Sequence, residues 1–154
     1  MPFTDSIIVF LGEYLAHILG AAFLVFWWEN RKRFPRFLIE SVGAVLLSRG
    51  IITESIRFFW DKPRPFVQEN FTPLIEHTAS PSFPSGHAAF FFALGGILYA
   101  YNKPAGIAFL LTSGVLSASR VLAGVHWTSD VLAGGIIGLA SAFIILRLSR
   151  KFQR

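Results

Sequence analysis

Apolar residues fall into five runs, each close to the length of a bilayer crossing. They cover about residues 7–28, 37–59, 85–101, 104–122 and 128–148, against the ~20 residues an α-helix needs to cross the hydrocarbon core. The pattern predicts an all-α, polytopic membrane helix bundle with about five transmembrane helices. The first run carries Glu13 and His17 and ends in Trp27-Trp28, an aromatic pair suited to the interface. It lacks a basic start and a small-residue cleavage site, so it reads as a membrane helix and not as a signal peptide. The second run is the most polar, with Glu40, Arg49, Glu54 and Arg57 inside it. No repeat or low-complexity tract breaks the pattern, and residues 1–154 read as one integral membrane domain.

Composition agrees with this reading. The 154 residues are 53% hydrophobic and 15% charged, whereas about a quarter of a soluble domain is charged. Cysteine is absent, which excludes disulfides and thiolate chemistry. A net charge of +5 would suit a nucleic-acid partner if the cations formed an exposed stripe. Most lie instead at the ends of apolar runs, so no nucleic-acid partner is expected. Lys and Arg are absent before Arg31 and then cluster at Arg31, Lys32, Arg33 and Arg36, at Lys103, and at Arg147, Arg150, Lys151 and Arg154. With five crossings these clusters share one face, which is cytoplasmic by the bias of Lys and Arg toward that side. The N-terminus, the 60–83 loop and the 123–127 turn then share the outer face.

Three polar blocks sit at the edges of these runs: Arg57-x6-Arg64-Pro65, Pro84-Ser85-Gly86-His87 and Ser119-Arg120-x5-His126-x3-Asp130. Ionisable groups are rare at membrane depth and usually mark a functional site there. Guanidinium groups hold phosphate oxygens in a planar fork and stay charged at any working pH. Ser85 is a good N-cap and Gly86 leaves its N–H unobstructed, so this helix start offers free donors to an anion. His87, in the first turn, is placed to pass a proton to a leaving oxygen. His126 and Asp130 are four apart, so the carboxylate reaches one ring nitrogen and leaves the other to act as a nucleophile toward phosphorus. Each block alone has a plain alternative: snorkelling interfacial arginines, an ordinary capped helix, a structural His–Asp bond. Together they describe a phosphate site at the outer-face end of the bundle.

On these residues the chain resembles the type-2 phosphatidic acid phosphatase superfamily, whose signature is Lys-x6-Arg-Pro, Pro-Ser-Gly-His and Ser-Arg-x5-His-x3-Asp. The second and third parts match residue for residue, and Arg57 stands where Lys is usual; the resemblance covers about residues 37–148. It implies a single integral membrane lipid phosphatase domain that needs no metal or other cofactor. His126 is then the nucleophile that forms a phosphohistidine, Asp130 its orienting partner, and His87 the acid and later the base. Arg57, Arg64, Ser85, Gly86 and Arg120 form the phosphate cradle. Arg64-Pro65-Phe66-Val67, Leu74-Ile75-Glu76-His77 and Ser82-Phe83-Pro84-Ser85 also resemble bacterial undecaprenyl-pyrophosphate phosphatases of the bacitracin-resistance type, some of which carry Asp where Gly86 stands. That likeness implies a lipid phosphate substrate, with undecaprenyl pyrophosphate favoured, in a bacterial inner membrane with the site facing the periplasm or exterior. Phosphatidylglycerophosphate, phosphatidic acid and a lipid A phosphate suit the same site, and a non-catalytic protein with a relict site is the other class.

Four further features carry expectations. His77, near Glu69 and Glu76, reads as part of a solvated loop face rather than a divalent-metal site, and Glu13 with His17 as a buried polar contact in preference to a lining of the lipid entry path. Glu54 lies one turn before Arg57 and reads as its charge partner. The small-residue runs at 93–96 and 133–138 suit close packing of the third helix on the fifth.

Overall fold

A computed structural model describes residues 2–151; Arg154 of the basic tail lies outside them. Five long helices and one short one account for the regular structure among the described residues. Helix α1 runs from Phe3 to Asn30, with a π-helical stretch at Phe10–Tyr14. Helix α2 covers residues 37–59: α-helical Phe37–Val45, π-helical Leu46–Thr53, then α-helical Glu54–Phe59. Helix α3 is the single turn Pro65–Gln68. Helices α4, α5 and α6 are Gly86–Tyr101, Lys103–Leu122 and Thr128–Lys151.

The ends follow local chemistry. The Ser85 hydroxyl accepts from the Ala88 N–H at 3.4 Å and opens α4. Asn102 closes α4 and opens α5, its side chain accepting from the Ala105 N–H at 3.0 Å, with Pro104 inside the first turn. Proline suits that position because its missing N–H would find no helical partner. The turn before α6 passes through Gly124 at φ +78°, where a side chain would be strained.

Helix α4 is the centre of the bundle and packs most extensively on α6, then on α5 and α2. Small residues make the α4–α6 contact close. A Cβ at Gly134 would lie 2.5 Å from the Ser85 carbonyl oxygen, and one at Gly138 would lie 2.6 Å from that of Ala89. The core between helices is apolar, with Phe23, Phe37, Ile97, Phe109 and Leu116 buried and the Phe23 and Phe37 rings 5.0 Å apart. The outside is apolar as well: Ile39, Leu111, Leu132, Ile136 and Phe143 are exposed, as expected of a surface that meets lipid. Among the described residues three helices, α1, α5 and α6, are long and apolar enough to cross a membrane. Helix α4 is shorter at 16 residues, and α2 carries the charged residues noted above. The protein is therefore an all-helical integral membrane protein.

The five long helices match the five apolar runs, with α1 longer than its run by a turn at the start. The bundle has two distinct ends. At one, Tyr101 donates to Glu40 at 2.6 Å and stacks edge-on with Phe34. At the other, the 60–85 loop meets the 123–127 turn, with the Leu74 N–H donating to the Ala123 carbonyl at 3.1 Å.

Candidate active site

At that second end a cavity of about 720 Å³ opens between α1, α2, α4, α5 and the loop. Six of the eight predicted site residues line it: Arg57, Arg64, Gly86, His87, Arg120 and His126. Ser85 and Asp130 stand behind its wall. Ser85 caps α4, and its N–H donates to the Asp130 main-chain carbonyl at 2.9 Å, which ties the start of α4 to the start of α6.

The three predicted arginines are held by main-chain carbonyls. Arg57 donates to Pro84 O through Nε and Nη2 at 3.3 and 3.0 Å. Arg64, 2% exposed, donates from Nε to Ser80 O at 2.9 Å and from Nη1 to Val125 O at 2.8 Å. Its Nη2 reaches Ser80 Oγ at 3.1 Å and Pro81 O at 3.3 Å. Arg120 donates from Nη1 to Gly12 O, in the π-helical stretch of α1, at 3.0 Å, and its buried Nε has no partner among the described residues. These bonds fix each fork without neutralising it, because a carbonyl carries no net charge. Burial, then the nearby Arg57 and Arg120, pulls the Arg64 guanidinium down to about 10, so it stays charged at neutral pH.

His126 is buried in the wall between this cationic group and Asp130. Its Nε2 lies 3.4 Å from Arg64 Nη1, and its Nδ1 lies 3.5 Å from Asp130 Oδ2. The second distance permits electrostatic contact but not a well-formed hydrogen bond, and Nδ1 has no other partner among the described residues. Arg64 only donates, so Nε2 must accept and the proton sits on Nδ1, facing the carboxylate. Burial lowers the ring to about 4 from its ordinary 6.5; Asp130 opposes that shift and Arg64 adds to it. The imidazole is thus neutral, with a lone pair on the nitrogen that faces the cavity.

Asp130 is fully buried and well supplied with donors. Oδ1 accepts from Lys62 Nζ at 2.8 Å and from Ser129 Oγ at 3.4 Å. Oδ2 accepts from the Trp127 N–H at 2.9 Å and from the Ser82 hydroxyl. Lys62 and Ser82 escaped sequence reasoning because both belong to a loop whose path the chain does not announce. The only signal was a lone cation just before the Pro63–Pro65 stretch.

His87 is exposed, its ring stacked at 6.5 Å on that of Phe91 at the cavity wall. His77 is not on a solvated loop face: its ring lies 6.3 Å from that of His126 and it lines the cavity. Burial, then Arg64, lowers its pKa. Glu13 and His17 are exposed and line the cavity rather than forming a buried contact; His17 Nδ1 lies 3.1 Å from the Glu13 main-chain carbonyl. Glu54 does neighbour Arg57, at 3.7 Å, but it pairs more closely with Arg49, a fourth arginine lining the cavity. Taken together the cavity offers a cationic cradle, a neutral imidazole backed by a carboxylate, and a second, accessible imidazole.

The sequence profile of the PAP2 superfamily matches residues 37–154. An undecaprenyl-diphosphatase, BcrC, of Bacillus subtilis (strain 168) is 27% identical over 145 residues, covering 94% of this chain and 75% of that protein. A lipid A 1-phosphatase of Rhizobium johnstonii is 35% identical over 167 residues, covering 98% of this chain and 67% of its own length. The crystal structure of Aquifex aeolicus LpxE superposes with a TM-score of 0.79 at 25% identity, over 96% of this chain and 87% of that one.

Proposed function

The chain belongs to the PAP2 superfamily, and from that premise we propose that it is a lipid phosphatase that works through a phosphohistidine at His126. The observation that carries the reading is the His126 ring: neutral, its Nδ1 toward Asp130 and its Nε2 beside the buried Arg64 fork. In this reading Nε2 attacks phosphorus and the bond to the lipid oxygen breaks. His87, protonated, gives its proton to that oxygen. Water then attacks the phosphohistidine, His87 takes the proton from the water, and inorganic phosphate leaves with His126 restored.

Arg57, Arg64 and Arg120 hold the three equatorial oxygens together with the free N–H groups at the start of α4. Fixed charge aimed at oxygens that gain charge in the transition state is the main source of rate in phosphoryl transfer. Three guanidinium groups and a helix start supply that charge from the protein alone, so the reaction proceeds without a metal. Asp130 stabilises the cationic ring that forms when Nε2 bonds to phosphorus, as a carboxylate does for the imidazolium of an acyl-transfer triad.

The preferred substrate is a polyprenyl diphosphate such as undecaprenyl pyrophosphate, in keeping with the similarity to an undecaprenyl-diphosphatase. The similarity to a lipid A 1-phosphatase supports a phosphorylated glycolipid as the second reading. The basic residues 31–36, Lys103 and Arg147 to Lys151 then face the cytoplasm, with the cavity opening on the outer side of a bacterial inner membrane. The test is phosphate release by the detergent-solubilised protein from undecaprenyl pyrophosphate, phosphatidylglycerophosphate, phosphatidic acid and a phosphorylated lipid A, each with and without chelator. Release should survive chelation and vanish in His126→Ala; wild-type turnover in that variant would reject the reading.

A further inference from the structure

We propose that Arg49 is the specificity-determining contact for a second, non-scissile phosphate, so that the site takes a lipid diphosphate in preference to a monophosphate. This inference rests on the lipid phosphatase reading above.

The placement of Arg49 comes from the π-helical stretch of α2. On a regular α-helix, residues five apart point about 140° away from one another. A stretch closed by bonds between residues five apart stacks them instead. Arg49 and Glu54 are five apart and form an ion pair, and Glu54 Oε1 also lies 3.7 Å from Arg57 Nη1. The wide turn therefore rotates Arg49 toward Arg57 and into the cavity wall.

Its guanidinium lies across the first residue of α4. A Cβ on Gly86 would come within 2.5 Å of Arg49 Nε and 2.9 Å of Cδ. Glycine at 86 thus makes room for this side chain, at the residue that precedes His87 in the chain. Arg64, by contrast, lies against His126. If His126 attacks and His87 protonates the departing oxygen, Arg64 stands on the attacking side and Arg49 on the leaving side. In a lipid monophosphate the leaving side holds an alcohol oxygen and a hydrocarbon tail. In a lipid diphosphate it holds a phosphate that gains negative charge as the bridging bond breaks. The step balances: the His126 nitrogen bonds to the terminal phosphorus, the bridging oxygen takes the His87 proton, and a lipid monophosphate departs.

Arg49 is also free to make this contact. Arg57, Arg64 and Arg120 each donate to main-chain carbonyls. Among the described residues Arg49 donates only to Glu54, and the two side chains are 39% and 50% exposed. An exposed pair of this kind holds weakly, so the doubly charged oxygens of a bound phosphate compete for the guanidinium.

The test compares farnesyl diphosphate with farnesyl monophosphate, which share a tail and differ by one phosphate, on wild type, Arg49→Gln, Arg49→Lys and His126→Ala. Wild type should favour the diphosphate. Arg49→Gln should lower kcat/KM for the diphosphate about tenfold or more, the size of a lost charge-assisted hydrogen bond. It should change the monophosphate less than about twofold, and Arg49→Lys should recover part of the preference. The monophosphate rate also reports that the variant is folded. Equal losses on both substrates, no loss on either, or a wild type that favours the monophosphate would overturn the inference while leaving the phosphatase reading intact. Release from both substrates by His126→Ala would overturn that reading, and this inference with it.

Discussion

Replacing Lys62 by methionine tests whether the charge of Asp130 is shared between a lysine and the His126 ring. Methionine keeps most of the side-chain length beside Phe83 and Trp127, whose rings lie 5.4 and 5.8 Å from Nζ, and removes only the ammonium. The lost interactions are a 2.8 Å charge-assisted hydrogen bond to a fully buried carboxylate and a second, also 2.8 Å, to the more exposed Ser129 hydroxyl, which water can replace. Bonds of this type contribute about 1.5–3 kcal/mol. Orphaning a buried charge entirely costs about 3–5 kcal/mol. That ceiling is not reached, because the Ser82 and Ser129 hydroxyls and the Trp127 N–H remain, and Lys62 is itself 23% exposed. A stability loss of about 2 kcal/mol is expected, at the lower part of the hydrogen-bond range. The second effect has the opposite sense: with no ammonium competing for it, Asp130 acts more fully on His126 and the ring becomes easier to protonate. Equilibrium unfolding in mixed micelles reads the first effect, and a ¹⁵N NMR titration of His126 in nanodiscs reads the second. A variant as stable as wild type, or a His126 midpoint that stays put or falls, would refute the shared-charge account.

Two further outcomes follow from the geometry. The His126 ring of the wild-type protein should titrate near pH 4, well below its ordinary 6.5, because burial outweighs Asp130; an NMR midpoint at or above 6.5 would contradict this. The unfolded chain then binds more protons between about 4 and 6.5, so the ring's contribution to stability is full above that window and is lost as pH falls through it. Gly138→Ala should cost about 1–3 kcal/mol, typical of overpacking, since the new methyl meets the Ala89 carbonyl oxygen and the Ala93 nitrogen at 2.6 and 2.8 Å, both main-chain atoms that yield only if α4 shifts. Phosphate release should fall with it, as α4 carries His87; unchanged stability and turnover would show that the α4–α6 contact has slack.

The helices were legible because hydrophobic run length is a one-dimensional signal. The candidate site was legible as a group because several of its residues keep fixed spacings at helix ends: Ser85 before α4, Arg120 near the end of α5, His126 and Asp130 astride the start of α6. What stayed hidden depends on contacts between distant segments or on departures from regular helix. His77 looked like a loop residue because nothing local folds residues 70–83 over His126. Lys62 found its partner 68 positions away. Arg49 was visible only as a charge within an apolar run, since its pairing with Glu54 needs a π-helical turn that residue propensities do not reveal. Glu13 and His17 show the same lesson in α1, where a spacing of four favoured a mutual contact over a place on an entry path and the fold turned both toward the cavity.

Acid-quench trapping tests the proposed chemistry most directly. A lipid diphosphate carrying ³²P in its terminal phosphate is mixed with the protein, stopped within one turnover under conditions that preserve phosphohistidine, and the label is mapped by digestion. The account predicts transient label on His126, absent from His126→Gln and longer-lived in a variant of His87 that no longer activates water. Label on another residue, or a His126→Gln protein that still turns over without any, would contradict it.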